Sequence, residues 1–271
     1  MTDTAFARQI RRDALDMSCI SKGPHIGSAL SCADILAVLY NGILNIAPHT
    51  ADAPDRDRFV LSKGHACSAL YAALAEKGFF PREELLRYAA DGSRLSAHAS
   101  GAVPGVELST GSLGQGVCAA AGFALAAKLD GKAYAVYALA GDGECEEGCV
   151  WEAALFAAAH GLSNLTLIID RNGLQACGST ETILRLGDLA LKFRAFGWDT
   201  HEVDGHDCAA LRAAFLAAAH GPKCIVARTV KGKGVSYMEH DNLWHFIAPQ
   251  GAQYETAAKE IGGMPLCAPR S

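Results

Sequence analysis

The segment Gly141-Asp142-Gly143-Glu144-Cys145-Glu146-Glu147-Gly148, GDGECEEG, follows directly on the apolar run AYAVYALA of residues 133–140. A short apolar run bounded by glycines reads as a buried strand ending in a tight turn. In open parallel sheets, ligands bind just beyond the carboxyl ends of the strands. Glycines at such a turn let backbone N–H groups come close to a ligand, and Asp142 is too short to reach far, so it is expected to bind something at the turn itself.

Outward from this stretch, strand-length apolar runs alternate with Ala-rich helical patterns. KAYAVYALA (132–140) is followed by CVWEAALFAAAHG (149–161), NLTLIID (164–170), DLALKFRAFG (188–197), THEVD (200–204), CAALRAAFLAAAHG (208–221) and KCIVARTV (223–230). The alternation predicts βαβ units, hence an α/β fold with a mostly parallel central sheet and helices on both faces. Ahead of them, TAFARQIRRDALDMSCIS (4–21) and SCADILAVLYNGIL (31–44) have helical spacing, with Ser31 as the expected N-cap of the second and KGPHIGSA as a loop between them. The repeated AAAHG at 157–161 and 217–221 predicts two helix C-termini, each with a favourable histidine and a left-handed glycine. Neither His160 nor His220 is given a catalytic role. One domain over 1–271 is expected, ending in a short loose tail, GGMPLCAPRS.

With 271 residues, half of them apolar, the chain can bury a sizeable core, and its net charge of -5 is mild. Lysines and arginines are scattered, so nucleic acid and anionic membrane surfaces are not expected partners. No signal segment or membrane span is legible, and a cytoplasmic location is expected. The ten cysteines lie in apolar segments and read as buried free thiols. Cys145 and Cys149 come nearest to metal-ligand spacing, without a second pair.

Asn172, in DRNGLQ, lies thirty residues beyond Asp142, at the end of the next parallel strand. A right-handed crossover brings two such strand ends into one crevice. A carboxylate, an amide oxygen and a loop carbonyl are hard ligands suited to Mg or Ca, with a ligand's phosphates and water completing the shell. The expected object is a cation bridging the protein to a diphosphate.

The pairing of GDG with a later N-G-L resembles the diphosphate-binding motif of thiamine diphosphate enzymes, and of transketolases in particular. The likeness extends along the chain. DRFVLSKGHACSALY (57–71) is similar to the transketolase segment with a cofactor-contacting histidine, here His65. PGVELSTGSLGQGV (104–117) is similar to the loop whose backbone lies on the cofactor, here Gly111, Ser112 and Leu113. ADIL after His25 and VKGKGVSYMEHDNLWH (230–245) match further blocks. The resemblance implies that Asp142, Asn172 and the Leu174 carbonyl ligate the cation and that Gly141 and Gly143 approach the diphosphate. It also implies active-site roles for His25, His65, His98 and His245, with His25 and His98 toward the substrate and His65 and His245 toward the diphosphate and reacting oxygens. Histidine suits proton transfer near neutral pH. Glu147 and Glu152 match glutamates that join a carboxylate network between subunits; in isolation both would read as acids at a helix start. Glu144 and Glu146 have no assignment, and His49, His201, His206 and His240 read as surface residues.

Two departures from the family pattern stand out: Gly23-Pro24-His25-Ile26-Gly27 replaces Gly-His-Pro-Gly, and Phe246 follows the last histidine where glycine is usual. The aromatic is expected to narrow the substrate channel and make the sugar preference unusual. The matching blocks leave no room for a pyrimidine-binding domain. The resemblance therefore implies the N-terminal subunit of a split transketolase, active only with a C-terminal subunit of about 300 residues, assembling as α2β2 and acting on small sugars. An α subunit of a 2-oxo acid dehydrogenase shares GDG and Asn but not STGSLGQG or VKGKG; a catalytically silent family member is the other alternative.

Overall fold

The computed structural model describes residues 1–266, and residues 267–271 lie outside the described residues. The first half of the expected loose tail is instead pinned: Met264 N donates to Gln9, the Met264 carbonyl accepts from Gln9 and Arg82, and buried Leu266 donates its amide to Asp16. Five parallel strands form the central sheet: β1 (Arg58–Leu61), β2 (Val136–Gly141), β3 (Leu165–Arg171), β6 (Asp199–Asp204) and β7 (Lys223–Arg228), in the order β1-β2-β3-β7-β6. Strands β4 (Leu174–Gln175) and β5 (Gly178–Ser179) make a separate antiparallel hairpin just after β3.

Side chains alternate across each strand, and the apolar core divides accordingly. Phe59, Leu61, Leu139, Ile168, Ile225 and Ala227 face one layer, built with helices α1 (Asp3–Ser21), α2 (Ile26–Ser31), α3 (Ala33–Val38), α4 (Cys67–Glu76), α9 (Cys208–Leu216) and α10 (Ala252–Ile261). Val60, Ala138, Ala140, Leu167, Ile169 and Val226 face the other, with α5 (Gln115–Leu129), α6 (Gly148–Ala159) and α8 (Leu189–Ala195). A single turn, α7 (Thr180–Ile183), follows the hairpin. Both faces of the sheet are thus covered by helices, as the strand pattern predicts. None of the described helices is long and apolar enough to cross a membrane.

Three local expectations are corrected. Ser31 ends α2 rather than capping α3; its hydroxyl points inward and donates to the Asp170 carboxylate, and residues 26–29 of the expected loop are helical. The first AAAHG behaves as expected, with His160 as C-cap and Gly161 left-handed at φ 56°. The second does not: α9 stops at Leu216, because buried Lys223 donates to the carbonyls of Ala214, Phe215 and Ala217, while the amides of His220 and Gly221 turn to Asp199. The cysteines among the described residues are free, but only Cys32, Cys67, Cys145 and Cys224 are buried, and Cys177 is exposed.

Candidate active site

Gly141, the last residue of β2, pairs in register with Asp170 of β3, so the GDG turn and the DRNGL loop leave the sheet side by side. Asp142 is 2% exposed. Its Oδ2 accepts from Gly173 N at 2.7 Å and its Oδ1 from Gly143 N at 3.0 Å. Asn172 Oδ1 accepts from Leu174 N at 3.1 Å. Burial is the largest influence on the Asp142 carboxyl and pushes it up to about 6; the Gly173 amide opposes this and Asp170 adds to it. A buried carboxylate on the same cavity wall as Asn172 and Leu174 offers, with an amide oxygen and a backbone carbonyl, a donor set that a hard divalent cation fits. Among the described residues no cluster of three or more His, Cys, Asp or Glu forms a metal site, so any cation here depends on the amide and carbonyl oxygens.

The two turn glycines serve different ends. A Cβ on Gly141 would meet nothing within 4 Å, and the residue lines the cavity, so its bareness keeps the cavity open; a Cβ on Gly143 would stand 2.8 Å from Gln175 Cβ, so its bareness lets the hairpin close down. Their amides, expected to face a ligand, are already engaged, Gly141 N by Glu144 Oε2 at 3.1 Å and Gly143 N by Asp142.

These residues wall a cavity of about 230 Å³ together with His25, His65, His98, His245, Gly111, Leu113, Asn172 and Leu174. The imidazole of His25 is the centre of the histidine group, with ring centroids 5.3 Å from His65, 5.5 Å from His98 and 4.8 Å from His245. His25 has φ 76°, an uncommon conformation for a residue with a side chain. Its amide donates to the His245 carbonyl, and its Nδ1 is buried without a hydrogen-bond partner among the described residues. His98 is set by Tyr71, whose hydroxyl donates to the His98 carbonyl at 2.9 Å. Gly64, before His65, is obligatory because a Cβ would lie 2.5 Å from the Thr110 carbonyl oxygen. Burial lowers the His25 and His245 imidazoles to about 4, assisted by His98 and Lys231 at His25 and chiefly by Lys231 at His245; burial also holds His65 well below its usual value. Ser112 and Glu147 are exposed and stand outside the cavity wall.

Three charged residues that the sequence left unassigned organise this site. Glu144, 2% exposed, accepts from Ser62 Oγ, from Gly114 N at 2.7 Å and from Gly141 N, joining the end of β1, the start of α5 and the GDG turn. Lys63 pairs with fully buried Asp170, which also accepts from Ser31 and Thr229. Lys231 lines the cavity, and burial lowers it to about 8. The available signals were an acid inside the turn and a lysine inside each of two matched blocks. Glu146 accepts from Gln175 at 2.8 Å and braces the hairpin.

Residues 2–266 match the model of the transketolase, thiamine diphosphate binding domain. The chain is 41% identical over 254 residues to one subunit of the apulose-4-phosphate transketolase of Phocaeicola vulgatus, covering 93% of this chain and 90% of that one. It is 42% identical over 241 residues to a 6-deoxy-6-sulfo-D-fructose transketolase subunit of Clostridium sp., covering 88% of each. Transketolase from Leishmania mexicana superposes with a TM-score of 0.91 at 30% identity over 99% of this chain, which spans 43% of that longer one. With motif, cavity and sheet all in agreement, the chain belongs to the transketolase family, as its thiamine diphosphate binding domain.

Proposed function

We propose that this chain is the diphosphate-binding subunit of a two-component transketolase, moving a two-carbon ketol unit from a ketose to an aldose. The observation that carries this reading is the convergence of four histidines on the cavity that also holds Asp142, Asn172 and Leu174. Relatives named as individual transketolase subunits, and matched over most of their own length, support a separate partner chain. That partner carries the pyrimidine-binding side, in a cytoplasmic assembly of two copies of each chain. Asp142, the Asn172 amide oxygen and the Leu174 carbonyl hold Mg or Ca; Gly111, Leu113, Gly141, Gly143, His65 and His245 surround the diphosphate; Glu147 faces the neighbouring subunit.

Thiamine diphosphate, when bound, supplies the electron sink for breaking a carbon-carbon bond beside a carbonyl. The chain's own contribution is orientation and proton transfer. His25 and His245 are neutral at pH 7, so each has a ring nitrogen able to exchange a hydrogen bond with substrate hydroxyls and developing alkoxides without carrying a positive charge. His98, held from behind by Tyr71, completes the substrate side. Phe246, 59% exposed with its ring 5.1 Å from His245, narrows the approach. The relatives' named substrates carry a phosphate or a sulfo group, which supports a ketose with an anionic substituent as donor.

Substitution Asp142→Ala in the assembled pair is expected to abolish magnesium-dependent thiamine diphosphate binding in calorimetry, because the diphosphate loses its bridging cation. Unchanged affinity would refute the metal role.

A further inference from the structure

A line of hydrogen bonds connects the hairpin after β3 to His245. Asn242 donates through Nδ2 to the carbonyl of Ala176, at the hairpin tip, which leaves its Oδ1 to accept from Lys231 Nζ at 2.9 Å. The same Nζ lies 3.4 Å from His245 Nδ1. An ammonium has three donors and no acceptor, so this contact has one polarity: Nζ–H toward a lone pair on Nδ1. A neutral imidazole that accepts at one nitrogen carries its proton on the other. We propose that Lys231 is a positioning residue that holds His245 as its Nε2–H tautomer, with Asn242 fixing the ammonium in place.

The surroundings favour that polarity. Lys231 is almost wholly enclosed. Burial and Lys63 weaken its hold on the proton, yet at about 8 the ammonium still predominates at neutral pH, and Asp142 and Asp170 help retain it. Lys231, His25 and Lys63 all disfavour an imidazolium at His245. His245 therefore presents a fixed N–H donor, suited to an anionic or carbonyl oxygen, instead of a lone pair. Because Asn242 is anchored on Ala176, two residues beyond the Leu174 carbonyl, the cation side of the cavity and the His245 ring are mechanically joined. The catalytic use of this donor rests on the transketolase reading; the tautomer itself does not.

The test is histidine ¹⁵N NMR on the full chain near pH 7 without cofactor, with His245→Asn identifying the signal. The wild-type ring is expected as Nε2–H, Lys231→Arg is expected to keep that tautomer, and Lys231→Met is expected to lose it. Should Lys231→Met fail to fold, Asn242→Leu, which frees the ammonium, is expected to give a mixture. A wild-type Nδ1–H ring, or an Nε2–H ring retained in Lys231→Met, would overturn the proposal. In the assembled pair, Lys231→Met is expected to lose about a hundredfold in kcat/KM, with Lys231→Arg restoring most of it. The expected NMR pattern in a pair without any transketolase turnover would support the tautomer assignment and count against the transketolase reading.

Discussion

Glu144 shows how much of this site depends on one buried acid. Its two oxygens accept from three donors on separate segments, including the amide of Gly114 at the start of α5, where a negative charge is favoured. In Glu144→Gln one oxygen becomes an NH₂ group, which cannot accept from Gly114 or Gly141, so the loops that carry Leu113 and Asp142 lose their common anchor. Cofactor affinity in the presence of magnesium is expected to fall by about 10- to 100-fold, the usual cost of removing a residue that orients a metal ligand; calorimetry on the assembled pair reads it, and an unaltered Kd would reject the anchoring role. The histidines make a second prediction. Their folded values near 4 lie below the ordinary 6.5, so between these limits the unfolded chain binds more protons than the folded one, and His25 and His245 destabilise the fold as pH falls from 6.5 toward 4. The double variant His25→Gln, His245→Gln is expected to show a smaller drop in Tm than wild type across that interval. Asp142 and Asn172 were legible in the sequence because a strand, a helix and a strand fix their spacing. Glu144 was not, since two of its three donors lie 82 and 30 residues away and nothing local marks them.

At the scale of elements, hydrophobic period and strand alternation were legible throughout the second half of the chain, and each predicted run appears there as a helix or strand. The exceptions are ends decided by distant side chains. In α9 the helical pattern of CAALRAAFLAAAHG continues past Leu216, but the Lys223 ammonium takes up the terminal carbonyls and the chain leaves the helix early. Replacing Lys223 by Met removes the donor and leaves partly buried carbonyls without it, at an expected cost of about 1–3 kcal/mol measured by chemical denaturation. A cost near zero would mean that the helix end finds water instead. Ser31 illustrates the same competition: its sequence context suits a helix cap, yet the buried Asp170 carboxylate captures its hydroxyl.

At the scale of the whole molecule, the sheet brings the ends of β1, β2 and β3 to one cavity, and the four histidines reach it from four different segments. The reading as one half of a two-chain enzyme predicts that the purified chain alone shows no ketol transfer. Mixing with its C-terminal partner is expected to restore turnover on a ketose panel that includes phosphorylated donors, and turnover by the isolated chain would reject the division of labour. The strand order carries a further consequence, for synthesis. β7 lies between β3 and β6, and among the described residues β6 pairs only with β7. During translation β6 therefore emerges with no neighbour to join, and one edge of β3 stays open until residues 223–228 have left the ribosome. Such long-range parallel pairing closes slowly and leaves unpaired edges exposed to misassociation, so a nascent chain halted before β7 is a vulnerable species whatever the strength of the finished fold.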